Sequence, residues 1–252
     1  VIAALYVQRN GCYWNLDGVD PWDEERDARK YAGPWPVVAH PPCSRWCRLA
    51  GLVEKRWGHK RGEDGGCFAA ALRAVRTYGG VLEHPAYSKA WPAFMLPEPP
   101  NTGGWVRGLC GGWACHVEQC RYGHVAKKAT WLYAFGVNEL PSLLWGHVAD
   151  QEVKALVSWC GNRVKSGESR PRVGKAAAAA TPVPFRDELL RIARSVRHRG
   201  KDGQRVVEDM SKRQRSATPP SSATSSSISH ERRRAVNESQ ITKFGGVLEV
   251  KP

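Results

Sequence analysis

Cys43 and Glu83 are the two residues whose types and settings best suit covalent chemistry in this chain. The thiol closes PVVAHPPC (36–43), where a short β-branched apolar run meets two prolines. Pro41 and Pro42 cannot donate backbone hydrogen bonds, so they end a strand and leave Cys43 on a stiff turn at its tip. The carboxylate sits in VLEHPAY (81–87), again an apolar run stopped by a proline. A thiolate attacks an electron-poor ring carbon, and a carboxylate holds a protonated ring nitrogen. Brought to one crevice, the two groups would suit addition to an aromatic ring. His40 and His84 flank the two turns, and two readings of them stay open: imidazolium neighbours that would lower the thiol pKa, or hydrogen-bonded structural histidines.

Such a pair needs a scaffold that sets two strand tips side by side. Residues 2–7, 37–39, 80–83 and 130–135 have strand composition. Between the second and third, DGGCFAAALRAVRTYGG spaces Phe68, Ala71, Leu72 and Val75 along one helical face, and Gly79-Gly80 forms a C-terminal stop. Strand, helix, strand in sequence predicts a right-handed parallel unit and an α/β class with a mostly parallel sheet. In open sheets of this kind ligands bind outside the carboxyl ends of the strands, where both turns would lie.

Composition sets the limits. The chain has 252 residues, 42% of them apolar, enough for one medium domain with a core and an appendage. No apolar run approaches the roughly 20 residues of a membrane span, and the N-terminus carries no signal-peptide pattern, so a soluble intracellular protein is expected. Val1 rather than Met opens the chain, which leaves room for residues ahead of it. The eight cysteines show no compact disulfide spacing, and reduced thiols follow. Cys110, Cys115, His116, Cys120 and His124 cluster in sequence, but without the CxxC spacing of zinc knuckles, so no metal is expected. Residues 1–160 carry 18 Lys and Arg against 15 Asp and Glu, while residues 161–252 carry 20 against 9. That last third, with KRQRSATPPSSATSSSIS and ERRR, reads as a mobile basic extension suited to polyanions, most often nucleic acid.

Taken together, AHPPC (39–43), LEHP (82–85) and CRYGHVAKKATWLY (120–133) resemble the cores of the DNA cytosine-5 methyltransferases, especially the short divergent forms of phages and prophages. The resemblance implies a Rossmann-like fold that uses S-adenosylmethionine, a DNA partner, and a place in the cytoplasm of a bacterial or phage-infected cell. It makes Cys43 the nucleophile at C6 of a flipped cytosine, Glu83 the partner of N3, and Arg121, Lys127 and Lys128 the basic group near the base. On the cofactor side it implies Asp27, sixteen positions before Cys43, with Gly11 after the first strand and the Pro41-Pro42 turn. Arg45 and Arg48 beside the thiol, and Arg191 and Arg194 on a later helix, are the expected DNA contacts.

The sequence also departs from that family. Its glycine-rich loop after the first strand is reduced to Gly11 within QRNGCYWNLDGVD, and the ENV segment has become Glu83-His84-Pro85. The fold is therefore expected to be abbreviated at the N-terminus. The expected organisation is a catalytic domain over 1–160, a linker and family-like helix over 161–199, and a low-complexity tail over 200–252. In TPVPFRDELLRIARSVRH, Phe185, Leu189, Ile192 and Val196 share the inner face of that helix. A monomer is expected. Two other readings stay open: a non-catalytic nucleic-acid-binding module on the same fold, and a pyrimidine C5-modifying enzyme that uses another donor.

Overall fold

The structure, a computed structural model, describes residues 1–149, 152–157 and 170–196. The expected tail over 200–252 and residues 161–169 of the expected linker lie outside the described residues. Seven strands make one sheet: β1 (Ile2–Leu5), β2 (Val19–Trp22), β3 (Val37–Ala39), β4 (Gly80–Pro85), β5 (Trp105–Arg107), β6 (Trp113–Glu118) and β7 (Ala129–Phe135). Their order is β2-β1-β3-β4-β7-β6-β5. The first four pair in parallel. From β4 onward every pairing is antiparallel, so the mostly parallel sheet read from the sequence is in fact mixed. The short connection between β6 and β7 explains part of this, because parallel neighbours need a long crossover and antiparallel ones do not.

Two helices cover the two faces. Successive strand residues point to opposite sides, and the burial follows that alternation. Leu5, Val37, Ala39 and Leu82 pack with Phe68, Leu72 and Val75 of α2 (Cys67–Tyr78). Ile2, Ala4, Val38 and Val81 pack on the other side with Phe185, Leu189 and Ile192 of α5 (Val183–Arg194). The late helix thus shares a core with the first strand. Val196, read as the end of its apolar face, instead forms an isolated bridge to Val137. The smaller helices α1 (Ala50–Trp57), α3 (Ala90–Ala93) and α4 (Lys175–Ala179), with the two-residue strands β8 (Leu156–Val157) and β9 (Arg172–Val173), complete the described chain. Among the described residues no helix is long and apolar enough to cross a membrane.

The corner between α2 and β4 depends on glycine. Gly80 has φ +125°, and a Cβ there would lie 1.9 Å from the carbonyl oxygen of Val37. Only a residue without a side chain lets β4 pass so close to β3 in that conformation. A second feature governs where a ligand can bind. β1 has β2 on one side and β3 on the other, so the chain reverses its direction along the sheet between β1 and β3. Open α/β sheets form their binding crevice at such a reversal, beyond the carboxyl ends of the strands.

Candidate active site

A cavity of about 860 Å³ lies where that rule puts it, against the segments that follow β1, β3 and β4. Cys43, Glu83, Lys127 and Lys128 all line it. Gly11, Pro41, Pro42 and Arg48 also contribute to its wall.

The thiol reaches the cavity through a well-anchored turn. The His40 amide donates to the Leu5 carbonyl at 3.0 Å, the last sheet-like bond of β3. After the two prolines, the Cys43 carbonyl accepts from the amides of Trp46 at 3.0 Å and Cys47 at 2.8 Å. Trp46 then ties the turn to α2: its ring packs on Phe68 and Phe94, and its indole donates to Asp64 at 2.8 Å. Asp64 in turn caps the start of α2 by accepting from the Phe68 amide at 2.7 Å. Residue 43 as a whole is exposed and forms part of the cavity wall. Enclosure by that wall, then the negative charge of Glu83 and the neighbouring Cys47, push the thiol pKa up to about 11; Lys128 pulls in the opposite direction. The expected activation by flanking imidazolium groups is not what the structure holds. His84 is fully buried among Phe68 and Trp91, and burial lowers its pKa to about 4, so it is neutral. His40 spends both ring nitrogens elsewhere.

Glu83 lies inside β4 rather than at its end, paired across the sheet with Leu132 of β7. It is buried, and both oxygens are engaged. The His40 Nδ1 donates to Oε2 at 3.0 Å, and the Gln119 amide nitrogen donates to Oε1 at 3.1 Å and to the Thr130 hydroxyl at 2.9 Å. The other ring nitrogen of His40 lies 2.8 Å from the Tyr13 hydroxyl. Burial raises the Glu83 pKa, but the hydrogen bond and charge of His40, helped by Lys128 and His84, outweigh it and hold the carboxyl at about 2. Glu83 is therefore a carboxylate, fixed at both oxygens.

Lys128 has φ +42° and donates from Nζ to the carbonyls of Ala179 at 2.9 Å and Ala180 at 2.7 Å, at the C-terminal end of α4. Burial lowers its pKa, and the nearby Glu83, Cys43 and Cys12 oppose that shift. Lys127 reaches His147 at 3.0 Å, and His147 pairs with the buried Glu118 at 2.9 Å. Arg48 is exposed at the cavity edge with its guanidinium 5.7 Å from the ring of Tyr87, another lining residue. Arg45 precedes it on the same loop, half-buried, its carbonyl accepting from the Gly62 amide at 3.1 Å.

Five expected residues do not line the cavity: Arg45, on that loop, and the four that follow. Arg121 points to the carbonyls of Gly146 at 3.1 Å and His147 at 3.2 Å. Asp27 caps the short 3₁₀ turn 28–30 and binds Arg29 Nε at 2.7 Å. That Arg29 contact, the largest influence on it, keeps the Asp27 pKa low. Arg191 pairs with Glu188 on the outer side of α5, and Arg194 is exposed on the same helix. Conversely, Tyr13 and Gln119 belong to the site although nothing in their local sequence announced it. Gln119 directly follows β6 in a 3₁₀ turn, and its burial is a property of the fold that no local pattern carries.

Comparison with protein-family models, with curated proteins and with solved structures finds no match to this chain. The site's chemistry therefore rests on its own geometry. Seven cysteines of the described residues are free thiols. The sequence cluster of Cys and His is dispersed in space: Cys115 is core, His116 accepts from the Trp131 indole at 3.2 Å, and His124 bonds the Ala126 and Ala177 carbonyls. Among the described residues no group of three or more such side chains could hold a metal ion.

Proposed function

We propose that this protein modifies a pyrimidine base in DNA, adding a methyl group at C5 of cytosine through a covalent bond between Cys43 and C6. The observation that carries this reading is the convergence of Cys43 and Glu83, forty residues apart in sequence, on one cavity from the adjacent parallel strands β3 and β4. The strand–helix–strand unit brings the ends of β3 and β4 together, and the pairing of a thiol with a fixed anion there suits addition to a ring.

The chain's own groups account for the activation of the ring. The Cys43 sulfur forms a bond to C6 as the thiol proton leaves to solvent, and N3 takes up a proton. Glu83, held ionised, accepts a hydrogen bond from that N3–H and stabilises the charge on the ring. Carbon C5 is then nucleophilic. Loss of the C5 proton, then departure of the sulfur from C6 with return of the N3 proton to solvent, later restore the aromatic ring. Lys128, close enough to influence both Cys43 and Glu83, favours the thiolate as it forms.

The methyl donor suggested by the family resemblance is S-adenosylmethionine, which supplies an electrophilic methyl. The cavity extends from Cys43 to Tyr6, Val7, Gln8 and Gly11 beyond β1, and these residues would hold the donor. Gly11 fits that use: a Cβ there would come within 2.9 Å of the Gln8 carbonyl, so the tight turn that shapes this wall needs glycine. Asp27, tied to Arg29, is not part of that set. The base must leave the duplex to reach Cys43, at a cost of a few kcal/mol that pocket contacts offset. Arg48 at the rim and the cations of residues 161–252 supply phosphate attraction.

The test is covalent capture. DNA containing 5-fluorocytosine, incubated with the protein and S-adenosylmethionine, is expected to yield a protein–DNA complex that survives denaturation, and Cys43→Ser is expected to abolish it. Equal, negligible capture by both proteins would reject the covalent reading.

A further inference from the structure

Resting on the reading above, we propose that His40, steadied by Tyr13, is a positioning residue that sets the orientation and charge of the Glu83 carboxylate. The two side chains act through Glu83 and not on the base.

The geometry is that of a clamp closed from two sides. On one side His40 Nδ1 meets Oε2 at 3.0 Å; on the other Gln119 meets Oε1 at 3.1 Å. With both oxygens fixed, the carboxylate cannot rotate, and its remaining lone pairs are aimed by the protein. His40 is itself fixed by the Tyr13 hydroxyl at 2.8 Å on Nε2, with the two rings 5.3 Å apart. A carboxylate only accepts, so Nδ1 carries a proton, and a hydroxyl both donates and accepts. Tyr13 can therefore satisfy Nε2 whether or not that nitrogen is protonated. The tyrosine is buried, and burial keeps it a neutral hydroxyl.

The clamp matters because Glu83 sits where a carboxyl left to itself would become neutral. Burial is the largest single influence on it, and burial favours the protonated acid. The groups that face it are His40 from the segment after β3, Lys128 ahead of β7, His84 on its own strand, and Cys43 across the cavity. Of these, Lys128 spends its amine on two backbone carbonyls and His84 is neutral, which leaves His40 as the dominant partner. Remove it, and the acid form gains. A neutral carboxyl would no longer stabilise a protonated N3, so the reaction would fade at the acid end of its range.

The experiment has two readouts on the full chain. In the first, ¹³C-labelled glutamate carboxyls are titrated by NMR, with Glu83→Gln identifying the Glu83 signal. Wild type is expected to stay ionised well below the ordinary value of 4.5; His40→Phe is expected to move its midpoint above it, and Tyr13→Phe to move it partway. In the second, the rate of capture by 5-fluorocytosine DNA is followed against pH. The acid limb is expected to shift upward by at least about one unit in His40→Phe. His40→Gln, which keeps a donor for Oε2 and is the less disruptive change, is expected to recover orientation, and so rate near pH 8, more than it recovers the position of that limb. An unmoved Glu83 midpoint and an unmoved acid limb in both His40 variants would overturn the proposal. If wild type captures no DNA, the base-modification reading fails, and the NMR titration alone decides whether the clamp exists.

Discussion

The carboxylate of Glu83 and the thiol of Cys43 face the same cavity, and the negative charge of the first makes ionisation of the second harder. Enclosure by the cavity wall first, and that charge second, push the thiol pKa up to about 11, so in the free protein the nucleophile is a thiol at neutral pH. On the proposed reading, a bound ring would give the anion something to stabilise.

That relationship is open to direct measurement. Alkylation of Cys43 by iodoacetamide, followed by peptide mass spectrometry, is expected to be slow at pH 7 and to rise steadily as pH approaches the thiol pKa. Glu83→Gln removes an anion, lowers that pKa, and is expected to speed alkylation several-fold at pH 8. Lys128→Met removes a cation and is expected to slow it. Glu83→Gln alkylating no faster than wild type would mean that the two groups do not sense each other.

A second prediction concerns acid stability. Burial holds His84 at about 4 against an ordinary 6.5, so between those values the unfolded chain binds a proton that the folded chain does not. Its contribution is fully present above pH 6.5 and is lost as pH falls toward 4. Urea midpoints are expected to decline through that window, and His84→Leu, which cannot be protonated, is expected to flatten the decline. Glu83, whose pKa is depressed instead, adds a further loss only below its ordinary 4.5.

The third compares two residues of α5. Phe185 is fully buried under the sheet, and Phe185→Ala is expected to cost about 3–5 kcal/mol in urea unfolding. Arg191 lies on the outer side in an exposed pair with Glu188, and Arg191→Ser is expected to change stability by less than about 1 kcal/mol. A small effect at Phe185 would mean that the helix is not part of the core.

Much of this arrangement could be read from local sequence, and the reasons differ by element. The strand before Cys43 and helix α2 were legible because an apolar period and a Gly-Gly stop are local signals. Strand β2 was not: Val19-Asp-Pro-Trp carries a proline and an acid, which an edge strand tolerates, and β2 is an edge. Strand direction also has no local signature, so β7 was found but its antiparallel sense was not. At the site, Cys43 and Glu83 declared themselves by their turns. Tyr13 and Gln119 arrive from a loop and from the far end of β6, and only the folded sheet brings them to Glu83. Asp27 was placed by the family resemblance, which could not reveal that its carboxylate closes a 3₁₀ turn.

The sharing of one core by β1 and α5 has a consequence for how the protein is made. Ile2 and Ala4 leave the ribosome well before the helix that covers them, Val183–Arg194, which is among the last described residues to be synthesised. Until then one face of the nascent sheet, with Val38 and Val81 exposed on it, has no cover and is open to chaperones or to self-association. Contacts this far apart in sequence also close slowly. A ribosome stalled anywhere before residue 183 thus releases a chain whose cavity-forming strands lack half of their support.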